Sequence, residues 1–313
     1  MRPHRAARLG FMALTCGLAT AVFVAGCSSS GGSASTGSAP AANSSLPTIK
    51  PGVLTVAIEP YAPYTEVKGN KMVGFDADII NAIAGRLDLK VKVEVTDFAG
   101  MLAGVQAHRY DITVGGVAWT AKRQSSGLFT DPPYYSPPAM AVRSGKTYRT
   151  VGDLSGLRLG TVEGYVWVQA IQQVPGAKLH VYPDANGVLD DLAAGRIDVG
   201  FLDPLVILAA QQARPGSKVT TEYLTPPSDA DVAKHPAYDY FRPYMTGFYL
   251  PKKDSALETA ISAQIRKMYS DGELSTLAKK YGADPAQFLK PSVGMAAERT
   301  AVDRPAGWLP PSI

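Results

Sequence analysis

The chain has 313 residues, of which 46% are hydrophobic, and a formal net charge of +4; this length is typical of about two domains. Three positive charges, Arg2, Arg5 and Arg8, lie at the very start of the chain and no basic block follows, which argues against a nucleic-acid partner. The two cysteines, Cys16 and Cys27, also lie near the start, and the four histidines have no ligand spacing. We therefore expect no disulfide, no metal site and no cofactor in the folded part.

The N-terminus has the layout of a secretory signal peptide, with a basic start, an apolar run from Leu9 to Ala25 and small residues before Cys27. Val24-Ala25-Gly26-Cys27 resembles a bacterial lipobox, which implies cleavage after residue 26 and a lipid such as palmitate on Cys27. The alternative is an uncleaved transmembrane helix, for which the run is at the lower edge of the required length. Residues 27–50 are expected to form a flexible tether, which places the protein on the outer face of the bacterial cytoplasmic membrane.

Apolar periodicity predicts a first half in the order strand, helix, strand, helix, strand. Val53–Ile58 is a short β-branched run of the kind that buried parallel strands show. Residues 91–95 alternate as a second strand, and residues 111–117 form a third. Apolar residues at helical spacing predict the two helices: Phe75, Ile79, Ile80, Ile83 and Leu87 in the first, and Phe98, Met101, Leu102 and Val105 in the second.

The second half repeats this order, which predicts two α/β lobes. Arg109–Val114 even matches Arg196–Phe201 in local sequence. The tail 291–313 is rich in Pro and polar residues and is predicted to be a loose appendage. The remaining predicted elements are strands at 157–161, 179–182, 197–202 and 246–250, and helices at 164–173, 188–192, 256–268 and 274–281.

Several short pieces occur in the order typical of one known family: Tyr61-Ala62-Pro63-Tyr64, Val73–Asp78, Arg109-Tyr110-Asp111, Thr120–Arg123, Phe129–Tyr135, and Gly195–Asp198 with Asp203. From about Leu54 to Leu289, the chain resembles the family 3 extracellular solute-binding proteins of ABC importers, the polar amino-acid type. The resemblance implies a type II periplasmic-binding-protein-like α/β fold. Each of its two lobes is a mostly parallel sheet flanked by helices, and two hinge crossings join the lobes.

The resemblance also implies a division of the chain. We place the crossings near Tyr135–Ala139 and Tyr240–Thr246, so that the first lobe is discontinuous. The expected segments are the signal peptide 1–26, the tether 27–50, the first lobe 51–137 and 244–290, the second lobe 138–243, and the tail 291–313.

Two charged residues follow strands, where open α/β sheets bind ligands. Arg123 lies one turn into a short helix predicted to be capped by Thr120, and its guanidinium can hold a carboxylate with two hydrogen bonds. The resemblance implies that Arg123 binds the α-carboxylate of the ligand and that Asp203 binds its α-amino group. The alternative for Asp203 is a cap on the helix that starts at Pro204.

Aromatic residues make up most of the other candidates. The resemblance implies that Tyr61 and Phe98 sandwich the ligand side chain, and Trp119 is expected to line the cleft with Thr120. Tyr165 lies at the helix start of the second lobe, where the family typically has Ser or Thr residues that donate to the ligand carboxylate. The family usually also has a Ser or Thr at the position of Ala118, so the resemblance implies that this chain lacks two hydroxyl donors.

Because a hydrogen bond to a charged group contributes about 1.5–3 kcal/mol, the loss of these two donors favours an amino-acid derivative or a quaternary amine over a standard amino acid. Glu59 and Glu163 follow the first strands of the two lobes. Either can bind a basic end of the ligand, and a solvated loop carboxylate is the alternative that we favour for both.

These observations predict capture of a small polar solute and its delivery to the transmembrane subunits of an ABC permease, by a monomer without catalytic activity. A solute-sensing lipoprotein is one alternative. A dehydratase on the same scaffold is another, with Glu59 or Glu163 as general acid. The Tyr- and Pro-rich insert 223–244 is either a lid or a solvent-facing loop, and we favour the loop.

Overall fold

The computed structural model describes residues 46–214, 216 and 218–313. The predicted signal peptide, the lipidation site Cys27 and the tether up to residue 45 lie outside the described residues. Within the described ranges, no helix has both the length and the apolar composition needed to span a membrane. The same part of the chain contains no cluster of three or more His, Cys, Asp or Glu side chains placed to hold a metal ion.

The strands in chain order are β1 Val53–Ile58, β2 Glu66–Lys68, β3 Lys71–Val73, β4 Lys90–Val95, β5 Ile112–Thr113, β6 Gly127–Phe129, β7 Tyr135–Ser136, β8 Ala139–Arg143, β9 Arg158–Val162, β10 Lys178–Tyr182, β11 Val199–Gly200, β12 Val219–Tyr223, β13 Tyr244–Met245 and β14 Tyr249–Pro251. The α-helices are α1 Phe75–Arg86, α2 Phe98–Gln106, α3 Ala121–Ser126, α4 Trp167–Gln172, α5 Ala185–Ala193, α6 Pro204–Ala213, α7 Asp229–Lys234, α8 Ser255–Ser270, α9 Glu273–Lys280, α10 Pro285–Phe288 and α11 Met295–Arg299. Short 3₁₀ helices cover Val151–Leu154 and Pro236–Phe241.

Two five-stranded sheets form the cores of two lobes. The first lobe contains the strand order β4-β1-β5-β14-β6, and the second contains β10-β9-β11-β8-β12. Every residue from Leu54 to Ile58 in β1 is buried, as expected for a strand with both faces covered. The chain is therefore an α/β protein with two lobes, as the sequence predicts.

Both sheets are mixed, whereas the sequence analysis predicted mostly parallel sheets. In the first lobe β1 is parallel to β4 and β5, but β14 runs antiparallel to β5 and β6. In the second lobe β9 is parallel to β10 and β11, but β8 runs antiparallel to β11 and β12. The reason is that β8 and β14 enter their sheets soon after a crossing, instead of through the helical connection that parallel neighbours need.

The two crossings are paired with each other. β7 and β13 form a two-stranded antiparallel ribbon, in which Ser136 is opposite Tyr244 and Tyr135 is opposite Met245. In the first sheet, β1, β4, β5 and β6 precede β7 in the chain, and β14 follows β13. All five strands of the second sheet lie between β7 and β13 in the chain. The ribbon is the hinge connection between the lobes.

The C-terminal tail is docked on the first lobe, and the prediction of a loose appendage was wrong. Arg299 is 0% exposed and donates to the carbonyls of Thr130 (2.8 Å) and Phe129 (3.1 Å). The hinge residue Tyr135 donates its hydroxyl proton to the carbonyl of Pro311 at 2.5 Å. Arg304 of the tail also forms ion pairs with Asp131 (3.1 Å) and Glu258 (2.9 Å) of the first lobe. The composition of the tail does not show which arginine finds such a carboxylate.

Two other segments are more ordered than the sequence suggests. The insert 223–244 contains α7 and a 3₁₀ helix whose Tyr238 and Phe241 are buried, so the favoured solvent-facing loop was wrong. Its main chain also accepts a hydrogen bond from Trp167 Nε1 at the Tyr240 carbonyl (3.1 Å). At the end of the predicted tether, the Ile49 amide donates to Asp111 Oδ1 at 2.7 Å, which attaches this residue to the first lobe.

Candidate functional site

The turns that follow β1, β5, β9 and β11 meet between the lobes and form a cleft. They bring together residues that are more than a hundred positions apart, such as Tyr61 and Asp203. This arrangement agrees with the rule that open α/β sheets bind ligands beyond the carboxyl ends of their strands.

Asp203 is a buried carboxylate at the centre of the cleft. Its Oδ2 accepts a hydrogen bond from the Tyr61 hydroxyl (2.8 Å), and its Oδ1 accepts from Ser136 Oγ (3.3 Å) and from the Tyr244 hydroxyl. Desolvation by burial raises the pKa of Asp203 to about 6, although these hydrogen bonds and the nearby Arg123 lower it. The side chain does not cap α6, so its bonds join the second lobe to the first lobe and the hinge.

Arg123 lies on the opposite wall. Thr120 caps α3 by accepting from the Arg123 amide at 3.0 Å, as predicted. The guanidinium donates to the carbonyl of Ala118 in the first lobe (2.8 Å) and to that of Gly164 in the second (3.0 Å), and it lies 5.1 Å from the Phe98 ring centroid. Burial lowers the pKa of Arg123 to about 10, and the side chain stays cationic at neutral pH.

Glu59 is a second buried carboxylate in the cleft, so the favoured interpretation as a solvated loop residue was wrong. It is 3% exposed and accepts a hydrogen bond from the Tyr165 hydroxyl of the other lobe at 2.6 Å. Desolvation raises its pKa to about 7 in spite of this bond. Glu163, by contrast, is exposed as expected.

Aromatic rings fill the cleft. Tyr165 lies 4.7 Å from Phe98, 5.9 Å from Tyr61 and 5.9 Å from Trp167, measured between ring centroids. The remaining cavity is about 10 Å³, enough for about one water molecule. It is lined by Phe98, Gly116, Ala118, Arg123, Tyr165, Val166, Trp167, Asp203 and Tyr244.

Trp119 and Thr120 lie at the edge of the cleft instead of in this inner cavity. They line an outer groove of about 320 Å³, and Thr120 also borders a second groove of about 430 Å³ on the side of Tyr165. The Trp119 ring lies 5.6 Å from the guanidinium carbon of Arg299 in the tail.

The site contains three polar residues that the sequence analysis missed. Tyr244 and Ser136 belong to the hinge ribbon, which was predicted only as a connection between the lobes and not as a source of ligand-binding side chains. Asp76 is buried behind the cleft and accepts from the amides of Gly115 (2.7 Å) and Gly116 (3.0 Å). Since both glycines have positive φ values of 121° and 68°, they are required by the turn beside Asp203.

Comparisons with known proteins agree with this architecture. Residues 54–284 match the model of the bacterial extracellular solute-binding proteins, family 3. The chain is 30% identical over 169 residues to the ABC transporter arginine-binding protein 1 of Escherichia coli K12, covering 53% of this chain and 69% of that protein. It is 27% identical to the lysine/arginine/ornithine-binding periplasmic protein of the same organism, covering 71% and 84%.

The solved structures give the same result. An ancestral arginine-binding protein bound to arginine superposes with a TM-score of 0.64 at 26% identity, covering 74% of this chain and 98% of that one. The family model spans both lobes and the hinge, and it ends before the docked tail. The chain therefore belongs to the family 3 bacterial extracellular solute-binding proteins.

Proposed function

We propose that the protein captures a small polar solute, an amino acid or an amino-acid derivative, between its lobes and delivers it to an ABC permease. The observation that carries the proposal is the buried Asp203 carboxylate, which lies in a cleft whose walls come from both lobes and which faces Arg123. A carboxylate and a guanidinium complement the ammonium and carboxylate groups of an amino acid. The relatives named above for arginine, lysine and ornithine support an amino-acid ligand.

The proposal includes the location of the protein. It acts as a monomer on the outer face of the bacterial membrane, held by a lipid on Cys27 after removal of the signal peptide. Growth with radiolabelled palmitate should label the wild-type protein and leave a Cys27→Ser variant unlabelled. Equal labelling of the two would refute the anchor while leaving solute capture open.

A thermal-shift panel tests solute capture. We expect the soluble form that begins after Cys27 to be stabilised by a member of a panel of standard amino acids, betaines, polyamines and opines. A solute at about 100 times its dissociation constant adds about 2.7 kcal/mol of stability. An Asp203→Asn variant is the control, which should lose most of the shift, whereas a folded wild type that no amino compound stabilises contradicts the proposal.

We expect the affinity for a cationic or zwitterionic solute to rise with pH. Desolvation raises the pKa of Asp203 to about 6 and that of Glu59 to about 7, so both carboxyls hold protons at pH 5 and must release them before they pair with an ammonium group. Linkage through Asp203 alone increases the association constant about tenfold between pH 5 and pH 7.5. Calorimetry across this range measures the change, and an affinity that is constant or falls with pH would contradict it.

One observation favours a second function. A buried carboxyl with a pKa of about 7, such as Glu59, is what a general acid at neutral pH requires, which keeps open a dehydratase on this scaffold. Turnover of prephenate or arogenate that is lost in Glu59→Gln would support the enzyme. We propose binding without catalysis, since the relatives named above for arginine, lysine and ornithine are binding proteins.

A further inference from the structure

The side chain of Tyr165 occupies the inner half of the cleft. It is 6% exposed, although it comes from a turn at the edge of the second lobe. Its ring contacts Phe98 and Tyr61 of the first lobe and Trp167 of its own lobe. The space left around it is about 10 Å³, so the ring takes the volume that a long solute side chain would need.

The hydroxyl group of Tyr165 also donates a hydrogen bond to the Glu59 carboxylate. The two oxygens are 2.6 Å apart, and the Glu59 side chain is buried. Of the two carboxylates in the cleft, Glu59 is the one that a basic group at the far end of a solute would reach after its ammonium had paired with Asp203. Such a group would have to break the buried hydrogen bond between Tyr165 and Glu59, which is costly.

The backbone holds the Tyr165 ring in this position. Gly164 has a φ of 80°, and its carbonyl accepts a hydrogen bond from Arg123 Nη2 at 3.0 Å. The Tyr165 amide donates to the Val162 carbonyl at 3.2 Å. The turn is therefore tied to the first lobe on one side and to the end of β9 on the other, and the direction of the ring follows from it.

We infer that Tyr165 determines the specificity of the site by excluding solutes with a long side chain. The inference rests on the proposed function and narrows it. The solute class is an amino compound with a short side chain, such as glycine, alanine or serine, whose ammonium group replaces one of the hydroxyl groups that now donate to Asp203. Solutes with an extended cationic chain, such as arginine and lysine, are rejected for two reasons. The Tyr165 ring fills the volume that their side chain needs, and its hydroxyl is bonded to Glu59, the carboxylate that their cationic end would need.

Calorimetric titration of the full chain in mild detergent tests the inference, with glycine, L-alanine and L-serine as compact probes and L-arginine and L-lysine as long probes. We expect the wild type to bind a compact probe at least tenfold more tightly than either long probe. Tyr165→Ala should increase the affinity for L-arginine more than tenfold. Tyr165→Phe keeps the ring and frees Glu59, so it should increase the affinity for L-arginine less than Tyr165→Ala does and should retain the wild-type order of affinities.

Three outcomes would overturn the inference alone: a wild type that prefers a long probe, a Tyr165→Ala variant with an unchanged ratio, or a folded Tyr165→Ala variant with less affinity for every probe. The last would mean that Tyr165 contacts the solute instead of excluding it. If Tyr165→Ala does not fold, the wild-type order and Tyr165→Phe still decide the question. Folded proteins that bind none of the five probes would overturn the inference, whereas the proposed function fails only if no amino compound of the wider thermal-shift panel stabilises the wild type.

Discussion

Replacing Arg299 with alanine is expected to lower the free energy of unfolding by about 3–5 kcal/mol, because it breaks a buried ion pair from one side. The guanidinium is 0% exposed, and its partner Asp303 lies 2.5 Å away with a side chain that is 5% exposed. The Thr130 carbonyl would also lose its bond from Arg299, and the Phe129 carbonyl would keep only its bond from Arg304 Nη2 at 3.0 Å. Denaturant titration with linear extrapolation gives the difference.

An exposed ion pair provides the control for Arg299. Arg214 and Asp190 are 3.1 Å apart, but their side chains are 69% and 58% exposed. Arg214→Ala should therefore change the free energy of unfolding by less than about 1 kcal/mol. If Arg299→Ala were as mild as Arg214→Ala, the tail would not be part of the folded first lobe.

Asp203→Asn is expected to weaken binding of the solute identified by the panel at least about thirtyfold, which corresponds to about 2 kcal/mol. The variant keeps the shape of the side chain and removes the charge that pairs with an ammonium group. The free energy of unfolding without solute should be unchanged or higher at pH 7, since burial raises the pKa of Asp203 and so disfavours its charged form in the folded chain. Calorimetry and denaturant titration together separate the two effects.

Asp198 offers a matched control in the second lobe, since it lies just before β11 and Asp203 lies just after it. Its Oδ1 accepts from Arg158 Nη2 at 2.6 Å, and this partner lowers its pKa. Asp198→Asn should destabilise the protein by about 1–2 kcal/mol, because it weakens a hydrogen bond to a partly exposed charge. It should leave the solute affinity unchanged. Equal affinities of wild type and Asp203→Asn would remove Asp203 from the binding site.

Local physics explains why much of the fold could be predicted from the sequence. The spacing of Phe75, Ile79, Ile80 and Ile83 predicts α1, and all four side chains are buried in the structure. Thr120 was predicted to cap α3 because a Thr hydroxyl can accept from an amide three residues later, and it does so. These features depend on neighbours within one or two turns of the chain.

Long-range pairs explain what the sequence analysis missed. Glu59 and Tyr165 are 106 positions apart in the sequence, and Tyr244 and Asp203, which are bonded to each other, are 41 positions apart. Neither pair leaves a periodic signal, so Glu59 was interpreted as a solvated residue and Tyr244 as part of a connection. The tail shows the same limit, because Arg299 stabilises it through carbonyls of β6 and the loop after it.

A crystal structure with the tightest-binding amino compound from the panel tests solute capture between the lobes most directly. We expect the ammonium group of the solute within hydrogen-bond distance of the Asp203 carboxylate, in place of one of the present bonds from Tyr61, Ser136 or Tyr244. Its carboxylate should lie against Arg123. A solute found in one of the outer grooves, with the hydrogen bonds of Asp203 intact, would contradict the proposed site.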